Sequence, residues 1–257
     1  MKTFLLKVLS ASCAAALLTP ALVHAAPSSG TLDQKALATL KRMCDTLTAA
    51  KSFTYKSKAI IEIPAKTGQF VTLFSHAEVA LKRPDKLRVS MTGEAPHFVF
   101  YYDGKTVTAF APATATKVFS ISKAPPTIDA MLPALEERTG IRFATAPLLF
   151  GDPYRVLTCG ITSAVVVGPS MVHGTVCEHL AFRSPGLNWE IWIDKGVASL
   201  PRRLAVTFTD RPNFPRTLVE FSNWNLRPWL GSGDFVFHKP VGGTEIPFLS
   251  VLKSARR

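Results

Sequence analysis

Two periods of hydrophobic residues alternate along this chain. Leu37, Leu40, Met43, Cys44 and Leu47 recur at three- and four-residue intervals, the stripe of an amphipathic helix. Thr31 or Asp33 can cap its start, and the pattern carries helix through Lys51. After Ser52 the period falls to two. Phe53 to Ile60 and Phe70 to Phe74 read as strands joined by a turn at Lys66-Thr67-Gly68. Leu87 to Met91 and His97 to Tyr102 follow, separated by Gly93 to Pro96, and Asp103-Gly104 is a hairpin turn because glycine accepts positive φ. Val107 to Phe110 and Val118 to Ile121 complete a meander.

The middle of the chain returns to the longer period. Pro125-Pro126 ends the meander, and Thr127 caps a helix with Ile128, Met131, Leu132 and Leu135 on one side. Gly140 stops it, and Pro147 to Phe150 suggests a further short apolar turn of helix. Strands then resume at Ala164 to Val167, Thr175 to Phe182, Trp189 to Ile193, Leu204 to Thr209 and Leu218 to Trp224. The expected turns between them are Pro169-Ser170, Ser184-Pro185-Gly186, Lys195-Gly196 and Arg211-Pro212-Asn213. The sum is an α+β domain with about eleven antiparallel strands and helices gathered to one side.

Several strands are apolar on both faces. Phe98, Phe100 and Tyr102 oppose Val99 and Tyr101, while Trp189, Ile191 and Ile193 oppose Glu190, Trp192 and Asp194. Such strands are covered twice, by helices on one side and by core or ligand on the other. A curved sheet of this kind either packs solid or lines an apolar ligand site.

The first residues change the setting. Lys2 and Lys7 precede an apolar run from Val8 to Leu18, Pro20 breaks it, and Val23-His24-Ala25 offers a peptidase site. Residues 1–25 are therefore read as a cleavable secretory signal, and residues 26–257 as one soluble domain. Cys13 raises the alternative of a lipid anchor, although no Leu stands where a lipidation motif needs it. Export to an oxidising compartment permits a disulfide. Cys159 and Cys177 are the expected pair, flanking one β-turn-β segment, with Cys44 left as a buried apolar side chain.

The chain carries 30 Lys and Arg against 18 Asp and Glu, a formal charge of +12. That balance suits a solvated surface or contact with an anionic membrane. The basic residues are scattered in small groups (Lys82-Arg83, Arg202-Arg203, and Lys253 to Arg257). The absence of a basic stripe argues against nucleic acid.

No catalytic signature is present. A Gly-x-Ser-x-Gly elbow is missing, as is a Gly-rich phosphate loop. His173, Cys177 and His179 share a parity and could face one ion, but a zinc site needs three or four ligands and no second pair lies nearby. The simpler expectation is a disulfide-bonded Cys177 beside a hydrogen-bonded His179, with no metal and no cofactor.

Several blocks carry a resemblance: Lys82-Arg83-Pro84-Asp85-Lys86-Leu87-Arg88, Tyr101 to Lys105, Thr127-Ile128-Asp129, Cys177 to Arg183, Trp189 to Ile193, Leu200 to Leu204 and Trp224-Asn225-Leu226. In this order they resemble a bacterial family of predicted periplasmic proteins of unknown function, related to the LolA/LolB-like lipoprotein carriers. The resemblance implies a strongly curved, incomplete antiparallel β-barrel with helices packed as a lid on its concave side. It also implies a non-enzymatic periplasmic binder of a lipid, a lipidated protein or another apolar molecule, and the chain is expected to act as a monomer. Candidate cavity residues are then Phe98, Phe100, Tyr102, Trp189 and Trp192. Arg83, Arg88, Arg202 and Arg203 are candidate rim charges. A sensing module that binds a protein partner is the alternative, and a hydrolase built from dispersed residues is the weakest reading.

Overall fold

In the computed structural model, residues 31–94, 97–112, 117–140 and 143–248 are described; the signal segment, the linker at 27–30 and the basic tail at 253–257 lie outside them. Helix α1 spans Gln34–Ala49, with the Asp33 side chain accepting from the Lys35 N–H as its cap. Its stripe of Ala36, Leu40, Met43, Cys44 and Leu47 is fully buried. Six strands follow: β1 (Ser52–Pro64), β2 (Phe70–Lys82), β3 (Lys86–Gly93), β4 (Phe98–Tyr102), β5 (Thr106–Ala111) and β6 (Val118–Lys123). Next come α2 (Ile128–Thr139), a 3-10 turn at Ala146–Leu149, and α3 (Pro153–Thr158), a short helix that the sequence pattern did not reveal. Thr127 caps α2, and Gly140 ends it at φ 66, where its N–H reaches the Glu136 carbonyl.

The second meander comprises β7 (Ser163–Val172), β8 (Thr175–Ser184), β9 (Leu187–Asp194), β10 (Pro201–Phe208) and β11 (Arg216–Asn225). A two-residue β12 (Thr244–Glu245) joins the edge strand β6 in parallel. The strand order is β12-β6-β5-β4-β3-β2-β1-β11-β10-β9-β8-β7, a linear series with two edges. Apart from β12 and an isolated parallel bridge from Leu32 to Ala164, every pairing among the described residues is antiparallel.

The sheet curves strongly. Phe98 and Phe100 of β4 share one core cluster with Leu180 and Phe182 of β8, although seven strand spacings separate them. On a flat sheet that separation is about 34 Å, more than a 16-residue helix can bridge at about 24 Å. The strands therefore wrap around α1, and the fold is an open half-barrel with its helices on the concave side.

One turn differs from expectation. Pro169 and Ser170 lie inside β7, paired with Glu178 and Cys177, and the reversal comes at His173-Gly174. A register shift between Val166 and Gly168, at a glycine with φ 139, lets the strand continue past the residues that looked like its end.

Candidate functional site

Odd-numbered residues of β1 and β2 face the concave side, because Phe53, Tyr55, Val79 and Leu81 all enter the core. That side is filled with its own side chains at one end. Met131, Leu132 and Leu135 of α2 and Leu148 and Leu149 of the 3-10 turn pack against the same cluster as Phe98, Phe100, Tyr102 and Trp189. Tyr102 is fully buried, and its hydroxyl donates to the Pro125 carbonyl at 2.6 Å. Burial pushes its phenol up to about 12, with the nearby Asp85 and Asp103 adding to the shift.

Arg83 closes this end. Its guanidinium donates to the Leu149 carbonyl at 3.0 Å and to the Leu47 carbonyl at 3.3 Å, and it lies 5.8 Å from the centre of the Phe53 ring. The last turn of α1 and the 3-10 turn are thereby tied to the β2–β3 connection. Burial lowers the pKa of this guanidinium, with Asp129 opposing. Arg83 is placed inside the seam and not at a rim.

The opposite end is built differently. The β1–β11 ladder stops at Ile61 and the β2–β3 ladder at Ser75, while β1 and β2 remain paired out to Pro64 and Phe70. Residues 62–74 thus form a two-stranded ribbon projecting beyond the rest of the sheet, with Ile60 and Ile61 at its base, where β1 still pairs with β11. Its concave face carries Ile61, Ile63, Val71 and Leu73, paired across the strands. Ile63 is 40% and Val71 42% exposed. The other face carries Ile60, Pro64, Phe70 and Phe74, with Phe74 at 53%. The signal for this element was an apolar run of both parities at a hairpin tip, which alternation alone does not flag.

The convex face divides in two. Over β4 to β6 it is covered by the chain after β11: Phe237 packs against Tyr101, Phe110 and Phe119 at 5.2 to 5.8 Å, and Phe235 is fully buried. This strap explains the second apolar face of β4. Over β8 to β11 the convex face holds ion pairs. His179 stacks on Trp192 at 3.9 Å and contacts Glu190 at 2.9 Å, while Arg216 donates to the same carboxylate. His173 contacts Glu220 at 2.8 Å, and Arg203 donates to Glu220. Burial would raise the Glu220 pKa, but the bonds from His173 and Arg203 outweigh it and hold the carboxyl low. Arg202 binds Asp194 at 2.7 Å.

Trp192 accordingly sits on the face opposite Trp189. Arg88 lies on the convex side too, 5.6 Å from the Tyr101 ring. It lines a groove of about 260 Å³ with Thr54, Lys56, Glu78 and Asn223, where Lys56 and Glu78 pair at 2.6 Å.

The expected disulfide is absent: Cys44, Cys159 and Cys177 are free thiols. Cys159 follows α3 near the Arg183 end of β8, whereas Cys177 lies near the other end of that strand. The six residue steps from Cys177 to Arg183 span about 20 Å, far beyond bridging distance. Cys177 packs instead with Val172, Trp192 and Ala205. His173 occupies a turn at φ 45 and not the strand. Among the described residues no group of three or more metal-binding side chains converges.

A family model described as "Predicted periplasmic protein (DUF2092)" matches residues 36–249, taking in every strand and nearly all of the helical segment. The chain belongs to the DUF2092 family. This DUF2092 protein is periplasmic, in agreement with the signal-like segment ahead of the matched region. Among curated proteins there is no significant match. Solved structures of similar architecture include the Mycobacterium tuberculosis lipoprotein LppX, at 12% identity and TM-score 0.48, covering 76% of this chain and 97% of that one. An uncharacterized conserved protein from Thermus thermophilus gives 14% and 0.46, covering 83% and 100%. A LolA superfamily protein from Nitrosomonas europaea gives 10% and 0.40, covering 79% and 97%.

Proposed function

We propose that this DUF2092 protein is a non-enzymatic periplasmic binder or carrier of a lipid or another acyl-bearing molecule. One observation carries the reading: the apolar concave face does not end where its helical cover ends. Past the buried Ser57 and Ser75 it resumes along Ile61, Ile63, Val71 and Leu73, with Ile63 and Val71 left exposed. An acyl chain laid on this strip gains about 0.8 kcal/mol per CH₂ removed from water. Deeper uptake requires α2 and the Ala146–Leu149 turn to withdraw, because the space beneath them is filled in this state.

Protein purified from the periplasm without detergent, extracted with organic solvent and analysed by mass spectrometry tests the reading. Stoichiometric acyl lipid is expected, and the Ile63→Glu/Val71→Glu variant retains much less. Lipid-free protein that also fails to take up a fluorescent fatty acid overturns it.

A further inference from the structure

The ribbon's other face points to a second role. Acyl binding in the trough uses only the concave residues, yet Ile60, Phe70 and Phe74 on the opposite face are exposed as well, at 37%, 38% and 53%. A folded partner or a single ligand covers one side of a ribbon. A ribbon with exposed apolar side chains on both faces and a polar turn at Lys66 to Gln69 is matched by an apolar layer lying beneath charged headgroups. We propose that residues 60–74 settle into the interfacial layer of a bilayer containing anionic phospholipid, and so dock the open end of the trough against the membrane.

The charges fit that occupant. Lys66 sits exposed in the turn between the strands, where a long cationic side chain can reach headgroups while apolar neighbours enter the layer. The acidic groups at the ribbon's base are turned to the backbone: Glu62 accepts from the Arg216 N–H and Glu94 from the Phe74 N–H, each at 2.9 Å. The connection from β10 to β11, which enters beside Glu62, adds Phe214 at 59% exposure and the exposed Arg211, while Arg216 is paired with Glu190. The whole chain is strongly basic, at +12, which draws it toward an anionic surface.

The proposal goes beyond lipid binding in the trough and rests on the face that binding leaves unused, so the two are separable. Mature protein is floated with vesicles of phosphatidylethanolamine and phosphatidylglycerol, and in parallel with phosphatidylcholine alone. Binding to the anionic vesicles is expected, weakened by salt, and the Ile60→Ser/Phe70→Ser/Phe74→Ser variant binds roughly tenfold or more weakly. A Phe70→Trp variant, which keeps the aromatic bulk, shifts its emission to the blue on adding those vesicles. Retained lipid measured on the serine variant tells the roles apart: lipid kept while flotation is lost assigns the convex face to docking alone. Three outcomes overturn the proposal: wild type that stays free of both vesicles, a serine variant that floats like wild type, or a Phe70→Trp emission that vesicles leave unmoved. A dimer abolished by the serine substitutions, without vesicle binding, assigns the ribbon to self-association instead.

Discussion

The two ends of the trough are made of similar apolar residues and treat them in opposite ways. At one end Tyr102, Leu87 and Phe53 are sealed, and the carbonyls that end α1 and the 3-10 turn are satisfied by Arg83. At the other, β1 and β2 outrun their neighbours and hold Ile63, Val71, Phe70 and Phe74 in solvent. Folding alone rewards the first arrangement and not the second. Substitutions at the sealed end are therefore expected to cost stability, and substitutions in the ribbon to cost the proposed lipid binding.

The largest effect is expected in the helix that fills the trough. Leu40→Ala removes a fully buried side chain and costs about 2–5 kcal/mol in chemical denaturation. Arg83→Ala follows at about 2–3 kcal/mol, since two carbonyls lose a charged donor and the stem's packing goes with it; a loss under about 0.5 kcal/mol, the range of an ordinary surface substitution, would break the distinction between the ends. Tyr102→Phe leaves the Pro125 carbonyl without its donor and costs about 1 kcal/mol. Ile63→Ser and Val71→Ser, by contrast, shift stability by less than about 0.5 kcal/mol while reducing retained lipid. A pH series sharpens the same contrast on the convex face. Glu220 has its carboxyl held low in the folded state, so its contribution is present above about pH 4.3 and is lost as pH falls through the lower folded value. Wild type should lose more of its Tm than Glu220→Gln across that acid window.

Thiol chemistry gives the smallest energetic signal and the clearest count. Cys159 is exposed and reacts at once with Ellman's reagent. Cys44, whose thiol burial pushes up to about 12, and the buried Cys177 react only on unfolding. Two fast thiols, or none, would contradict this arrangement.

Much of the fold was legible because its elements obey simple periods: the α1 stripe, the Thr127 and Gly140 caps, and the alternation of β1 from Phe53 to Lys58 all state their own structure. The failures have physical causes. Pro169-Ser170 carries turn chemistry, but it lies on an edge strand, where a missing N–H costs no ladder bond and a bulge absorbs the irregularity. The disulfide inference assumed that proximity in sequence to one hairpin meant proximity in space, whereas a strand separates its ends by its full length. The site was less legible still. Which of two apolar faces is covered depends on the strap at Phe235 to Phe237 and on where the ladders stop, and both are long-range facts. Parity already set Trp189 and Trp192 on opposite sides of the sheet, but not which of the two sides is the concave one.

The position of β1 has a further consequence. It is the first strand made, yet it lies mid-sheet between β2 and β11, so its second edge is completed by residues such as Phe221 and Glu220, opposite Ser57 and Lys58. Each meander can zip locally, but the seam joining them closes a loop of nearly the whole domain, an entropically late event. A chain crossing a membrane amino end first therefore cannot finish its sheet until β11 has passed through. The topology thus makes β11, and not the first strand, the one that joins the two meanders into a single sheet.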